Sequence, residues 1–246
     1  MGSPTVSRVW SPADCRWVDG VPTRAIVLDI EGTVSPIAFV RDVLFPYARA
    51  RLAEVIRARY SEPQIAALLH EAAQLAGTPH LEVGAAIELF LSWSDADRKM
   101  RPLKTLQGFI WRQGYIDGSL RAPLYPDVLP ALREWRSRGI DLYVYSSGSV
   151  EAQRLLFQFS EQGDLREHLS GYFDTAVGPK VEVESYRSVR KTIGVSPGEL
   201  LFLSDSAAEI GAATAAGWRA LQVQRDAPVS NEAGAPSIAS FANLVL

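Results

Sequence analysis

The sequence predicts an α/β protein: a doubly wound, Rossmann-like parallel sheet with an all-helical cap inserted after the first strand. Three observations carry that expectation. Largely apolar runs recur at Ala25-Ile-Val-Leu28, Leu142-Tyr-Val-Tyr145, Leu200-Leu-Phe-Leu203 and Ala220-Leu-Gln-Val223, as expected of strands buried on both faces. Helical patterns separate the later runs, and strands alternating with helices make a parallel sheet with right-handed crossovers. Between the first two runs, from about residue 36 to 120, nothing resembles a buried strand. The expected layout is an N-terminal extension over 1–24, a core from 25–35 and 121–246, and a helical cap over 36–120.

Within the cap, Val40, Val43, Leu44, Tyr47, Leu52, Val55 and Ile56 follow helical spacing, with Pro46 expected to open a helix. Further helical patterns cover Ile65-Ala-Ala-Leu-Leu69, the stretch from Val83 to Leu91, and Leu103 to Trp111. Back in the core, Val128, Leu129, Leu132 and Trp135 share one helix face that ends at Gly139, a C′ position. The second strand gives way at Ser146-Ser-Gly-Ser149 to a helix over about 150–159. A short strand is read over 173–177, then Gly178-Pro-Lys180 and a helix over roughly 183–193. Another helix spans about 207–216 and stops at Gly217. Residues 1–23 read as a weakly specified extension.

Composition sets outer limits. The chain has 246 residues, 47% hydrophobic and 22% charged, which is the profile of a globular protein large enough for one domain with an insertion. A net charge of −3 offers no electrostatic footprint for nucleic acid. No apolar run reaches membrane-spanning length, and the N-terminal residues lack the apolar core of a signal peptide. The single Cys15 has no intramolecular partner. A cytoplasmic protein is expected, with no membrane and no nucleic-acid partner. It is also expected to be a monomer, since no long exposed apolar element is apparent.

The chemistry-bearing residues sit at strand ends. Parallel strands point their C-terminal ends the same way, so Asp29, Ser146 and Asp205 should converge on one edge, where open α/β sheets bind ligands. Asp29 can attack phosphorus and bind a cation with its other oxygen, while Glu31 can protonate a leaving group. The plainer alternative is an acidic turn in which Gly32 supplies a positive φ. Two carboxylates in one crevice repel unless a cation neutralises them, and Mg²⁺ suits such hard oxygen ligands. Ser146 and Ser147, ahead of an N-cap at Ser149, form a phosphate cradle or merely a capping turn. Lys180 adds a cation, unless it is an ordinary solvated lysine. Glu209 either orients a metal-bound water or holds Lys180.

Together these residues resemble the haloacid dehalogenase superfamily, and within it the enolase-phosphatases (acireductone synthases) of methionine salvage. The motifs that carry the resemblance are Leu28-Asp-Ile-Glu-Gly-Thr33, the run Pro36 to Tyr47, Tyr145-Ser-Ser-Gly-Ser-Val-Glu-Ala-Gln153, Asp97-Arg-Lys99, Leu103-Lys104, Leu106-Gln-Gly108 and Leu201-Phe-Leu-Ser-Asp205. The match covers roughly residues 25 to 225. Most of the superfamily's phosphatases carry Asp at the second acidic position, where this chain has Glu31. Val34-Ser35 replaces the family's usual hydroxyl-rich continuation after Thr33.

The resemblance implies that Asp29 is a nucleophile forming an aspartyl-phosphate. It also implies that Asp29, Glu31 (through its backbone carbonyl) and Asp205 hold Mg²⁺. Ser146, Ser147 and Lys180 would then bind the substrate phosphate. The implied substrate is a small phosphorylated diketone, 2,3-diketo-5-methylthiopentyl-1-phosphate, enolised and then dephosphorylated to 1,2-dihydroxy-3-keto-5-methylthiopentene. Glu31 is the first choice of enolisation base. In the cap, Arg98, Lys99, Lys104, Gln107 and Trp111 are candidates to line the site, the last three sharing a helix face. The competing expectation is a capped phosphatase for another metabolite, such as a sugar phosphate. A dehalogenase would leave Asp205 as an unexplained charge, and a non-catalytic binding domain would have no need of the full set of carboxylates and lysine.

Overall fold

A computed structural model of the chain describes residues 10–11, 16–17, 20–225 and 236–246. The elements in chain order are β1 (Trp10–Ser11), β2 (Arg16–Trp17), β3 (Ala25–Leu28), α1 (Phe45–Arg59), α2 (Pro63–Leu75), α3 (Val83–Asp95), α4 (Arg101–Ile116), α5 (Val128–Ser137), β4 (Asp141–Tyr145), α6 (Val150–Gln158), β5 (Gly171–Phe173), α7 (Val183–Ile193), β6 (Leu200–Ser204), α8 (Ala207–Ala215), β7 (Arg219–Val223) and β8 (Ser237–Ile238). β3 to β8 form one sheet in the order β5-β4-β3-β6-β7-β8, parallel at every pairing. β3 lies between β4 and β6, and its four residues are fully buried, which is why its sequence shows no alternation. Leu28 pairs with Val144 on one side and Leu203 on the other. Under one face, Ala25, Val27 and Phe202 pack against Tyr186, Val189, Ile210 and Trp218. Three aromatic pairs centre on Tyr186, edge-on to Tyr145, Phe202 and Trp218.

Contacts divide the chain into two compact units. One holds the described residues up to Ile37 and from Ala122 onward, and the other is Ala38–Arg121. The second unit contains α1 to α4 around a core that includes Leu52, Ile56, Ile65, Leu69, Phe90, Leu106 and Ile110. Among the described residues, no helix is long and apolar enough to cross a membrane.

Several sequence expectations are corrected in detail. Pro46 stands in the first turn of α1, as expected of a residue that opens a helix, but the helical backbone begins earlier: residues Phe39–Leu44 form a π-helix that runs into α1. Proline lacks an N–H and crowds the carbonyl four residues back, and a widened turn accommodates that conflict. The strand read over 173–177 is shorter and lies earlier, Gly171–Phe173. Asp174 stops it, because its carboxylate accepts from the amides of Ala176 and Val150 and bends the chain into a 3-10 turn. The edge strand Ser237–Ile238 is too short to leave a periodic trace. Most of the extension over 1–23 lies outside the described residues. Within the described part, Trp10–Ser11 pairs antiparallel with Arg16–Trp17. Val21 and Thr23 accept hydrogen bonds from Arg219.

Candidate active site

The central strand delivers Asp29 to the carboxyl edge of the sheet. Its amide donates to the carbonyl of Leu203 at 2.9 Å, continuing the β3–β6 ladder one residue beyond the strand. The chain then turns on Ile30, whose carbonyl accepts from the amides of Thr33, Val34 and Ser35. Gly32 sits at φ +71° within this turn, and a Cβ there would collide with the carboxylate of Asp205. Glycine thus does two things: it adopts the left-handed conformation, and it lets the turn close against the end of β6.

Asp29 and Lys180 are 5% and 6% exposed, so this is a buried ion pair and not a surface one. The Lys180 ammonium donates to Asp29 Oδ1 and lies 2.7 Å from Glu209 Oε2. Burial opposes the lysine's charge, but the two carboxylates outweigh it and hold its pKa above the ordinary lysine value. Glu209 also accepts from the Ser204 hydroxyl at 2.8 Å. Burial, then the charge of Asp29, push the Glu209 pKa upward. The loop carrying Lys180 is itself fastened. Tyr145 donates to the Gly178 carbonyl at 2.8 Å, Tyr186 to the Lys180 carbonyl at 2.7 Å and Ser185 to the Pro179 carbonyl at 2.7 Å. A side chain at Gly178, where φ is +130°, would strike the Ser185 hydroxyl.

Asp205 reaches the same place through Thr33. The Thr33 hydroxyl donates to Asp29 Oδ2 at 3.3 Å and accepts from the Asp205 amide at 3.0 Å. The Asp205 carboxyl is pushed up to about 6, first by burial and then by the negative charge of Asp29, with Lys180 opposing. Three carboxylates therefore face one ammonium. That surplus of buried negative charge fits a cation. Among the described residues, no group of three or more His, Cys, Asp and Glu could hold a metal ion. Two aspartates with backbone, water and phosphate oxygens are a donor set suited to Mg²⁺, which keeps several waters.

At the end of β4, Ser146 is buried. Its amide donates to the Phe173 carbonyl at 3.2 Å, and its hydroxyl accepts from the Gly148 amide at 3.1 Å. Ser147 is exposed. Ser149 caps α6 by accepting from Ala152 at 3.3 Å. Gln153, 1% exposed, braces this turn by donating to the carbonyls of Gly148 and Phe173 at 2.8 Å each. Glu31 is partly exposed and bridges to Ser35.

The structure thus joins Asp29, Lys180 and Glu209 directly, links Asp205 to Asp29 through Thr33, and sets Ser146 on the neighbouring strand end. Of the two roles read for Glu209, holding Lys180 is the one its geometry serves. The sequence reading did not assign Thr33, Ser204 or Gln153. All three stand inside motifs already singled out. In the helical unit, Arg98 and Lys99 are exposed, Lys99 pairing with Asp97 at 2.5 Å. Lys104 is partly exposed and Gln107 is buried. Trp111 is built into that unit. Its indole N–H donates to the Leu44 carbonyl at 2.8 Å, and its ring stands edge-on to Phe45.

A parallel sheet with a buried aspartate at its central strand tip and a lysine–glutamate pair beside it defines a class of hydrolase. A family model described as a haloacid dehalogenase-like hydrolase matches residues 23–217. Enolase-phosphatase E1 of an Enterobacter species is 52% identical over 203 residues, covering 82% of this chain and 88% of that protein. Enolase-phosphatase E1 of Pseudomonas aeruginosa is 49% identical over 223 residues, covering 91% of this chain and 98% of that protein. The crystal structure of the UTR4 protein of Saccharomyces cerevisiae matches with a TM-score of 0.77 and 31% identity, over 90% of this chain and all of that one. The chain belongs to the enolase-phosphatase E1 family of the haloacid dehalogenase-like hydrolases.

Proposed function

We propose that the chain is a Mg²⁺-dependent enolase-phosphatase of methionine salvage. It converts 2,3-diketo-5-methylthiopentyl-1-phosphate to 1,2-dihydroxy-3-keto-5-methylthiopentene and phosphate. The observation that carries this reading is the buried Asp29–Lys180–Glu209 group at the tip of the central strand, linked through Thr33 to Asp205, in a chain about half identical to enolase-phosphatases over most of its length.

The residues divide the work as follows. Asp29 attacks phosphorus in line, forming an aspartyl-phosphate and releasing the enol oxygen. Lys180 neutralises the equatorial phosphoryl oxygens, and Glu209 keeps its ammonium turned toward Asp29. Ser146, with the exposed Ser147 beside it, offers hydroxyl and amide groups to the phosphate. Water then cleaves the aspartyl-phosphate. Asp29, Asp205 and the backbone carbonyl of Glu31 are the groups that would hold Mg²⁺. When bound, the ion supplies charge neutralisation and polarises the diketone oxygens. Glu31 takes the proton from the phosphate-bearing carbon and returns one to the leaving oxygen. Its side chain is one methylene longer than Asp, so it reaches a proton the usual phosphatase acid does not. The partly exposed Lys104 and the exposed Arg98 and Lys99 stay candidates for contacting substrate. Buried Gln107 and packed Trp111 serve better as their support.

The direct test follows acireductone absorbance and phosphate release together on the diketone phosphate, with and without Mg²⁺. Preferred turnover of simple sugar phosphates would replace this substrate by the broader class. Glu31→Gln is expected to lower the enolisation rate about 10²–10⁴-fold and to abolish proton exchange at the substrate's C1. Retained exchange with lost phosphate release would confine Glu31 to the second step.

Asp205 also makes stability depend on pH. Its carboxyl prefers the protonated state in the fold, so its contribution to stability is present at low pH and is lost as pH rises through about 6. Asp205→Asn should therefore stabilise the metal-free protein at pH 7.5 by ~1–2 kcal/mol, allowing for solvent screening at this partly exposed group. The gain should shrink as pH falls below about 6 and vanish only below the ordinary aspartate value of 3.8, and Mg²⁺ should no longer raise the melting temperature. A metal-free D205N protein that melts below the wild type at pH 7.5 would contradict the electrostatic account.

A further inference from the structure

The guanidinium of Arg225 is a buried charge that the reaction chemistry leaves unexplained. Its side chain is 5% exposed and pairs with Asp127, 14% exposed, at 2.6 Å. Two of its donors, Nε and Nη2, point to one atom, the carbonyl oxygen of Thr33, at 3.0 and 2.7 Å. The guanidinium lies 4.4 Å from the Tyr125 ring centre and 4.5 Å from that of Phe241. Asp127 is anchored in turn by the Ser240 hydroxyl and the Phe241 amide, each donating to Oδ2 at 2.6 Å. Buried ion pairs seldom contribute net stability over apolar residues of similar volume. The fork is rigid and planar, so two N–H groups on one carbonyl fix both its position and its direction.

Thr33 is where that fixing matters. Its hydroxyl links Asp29 Oδ2 to the Asp205 amide. Moving the Thr33 backbone moves that hydroxyl, and with it the spacing of the two aspartates. The rest of the turn has other supports: the Tyr125 amide donates to the Val34 carbonyl, and the Ser35 hydroxyl to that of Pro123. Among the described residues, it is Arg225 that grips the Thr33 carbonyl.

We infer that Arg225 is a positioning residue for the reaction: held by Asp127 between two aromatic rings, it sets the Thr33 hydroxyl that aligns Asp29 with Asp205. The inference rests on the proposed roles of those aspartates in phosphoryl transfer. Misplacing a reacting group by a fraction of an ångström costs rate while leaving remote binding intact.

The test uses the full chain carrying Arg225→Lys, Thr33→Val, and both. Arg225→Lys keeps the charge on Asp127 but loses the fork. It should lower kcat about tenfold with KM within about twofold of wild type. In the Thr33→Val background, Arg225→Lys should produce little further loss of kcat, because the hydroxyl it positions is gone. Unfolding midpoints, in contrast, should fall by similar amounts in both backgrounds. Hydrogen exchange of the Asp205 amide, measured by NMR without substrate, should speed up about tenfold in Arg225→Lys. An equal fractional loss of kcat in both backgrounds, or an unchanged Asp205 amide, would overturn the inference. Wild-type protein that released no phosphate would overturn the functional reading instead, and the amide would still decide the role of Arg225. If Arg225→Lys failed to fold, Asp127→Asn would take its place, with the same pattern expected at smaller size.

Discussion

Asp29→Asn is expected to lower phosphate release about a thousandfold or more while the protein stays folded. The substitution keeps size but removes the nucleophilic carboxylate, and its amide offers one accepting oxygen where Asp29 offers two, to Lys180 and to Thr33. The buried Lys180 retains Glu209, 2.7 Å away, as a counter-ion. The fold around it is held mainly by the fully buried β3 and its neighbours β4 and β6. Two measurements check the outcome. Steady-state assays on the diketone phosphate should show loss of kcat, and rapid acid quenching should find a phosphoryl adduct on the Asp29 peptide only in wild type. An Asp29→Asn protein retaining more than about a tenth of wild-type turnover would remove Asp29 as nucleophile.

Lys180→Met should damage stability as well as activity. It leaves Asp29 and Glu209 buried without their shared cation, and breaking a buried pair from one side costs roughly 3–5 kcal/mol. The pH dependence gives the cause away. Glu209 is already pushed toward its neutral form with the lysine present, and it would be pushed further without it. A carboxyl whose folded pKa is raised contributes stability that is present at low pH and lost as pH rises through that value. The deficit of Lys180→Met should therefore be largest at neutral pH and shrink toward pH 4.5. Adding Glu209→Gln should recover part of the stability and none of the activity. Denaturant unfolding at two pH values checks this, and a deficit independent of pH would mean lost packing of the lysine's aliphatic stem.

These expectations mix what could be read along the chain with what could not. The strands β3, β4, β6 and β7 were legible because burial on both faces leaves a largely apolar run, Asp29 because it follows such a run directly, and Asp205 because only Ser204 separates it from one. β5 was misjudged by a few residues, since the stop is set by an Asp174 side chain bonding to amides on both sides of it. The π-helix before Pro46 leaves no periodic mark, because it only shifts the register of an otherwise helical pattern.

By itself, the sequence determined the four inner strands of the sheet, β3, β4, β6 and β7, and the carboxylates and serine at their ends, because periodicity and strand polarity are local properties of the chain. Only the tertiary structure decided that Glu209 holds Lys180, that Thr33 joins the two aspartates, and that Arg225 grips Thr33 across 192 positions. Such links depend on the directions and distances of side chains from separate segments. Those are fixed when the sheet closes and the segments pack, and no spacing within the sequence encodes them.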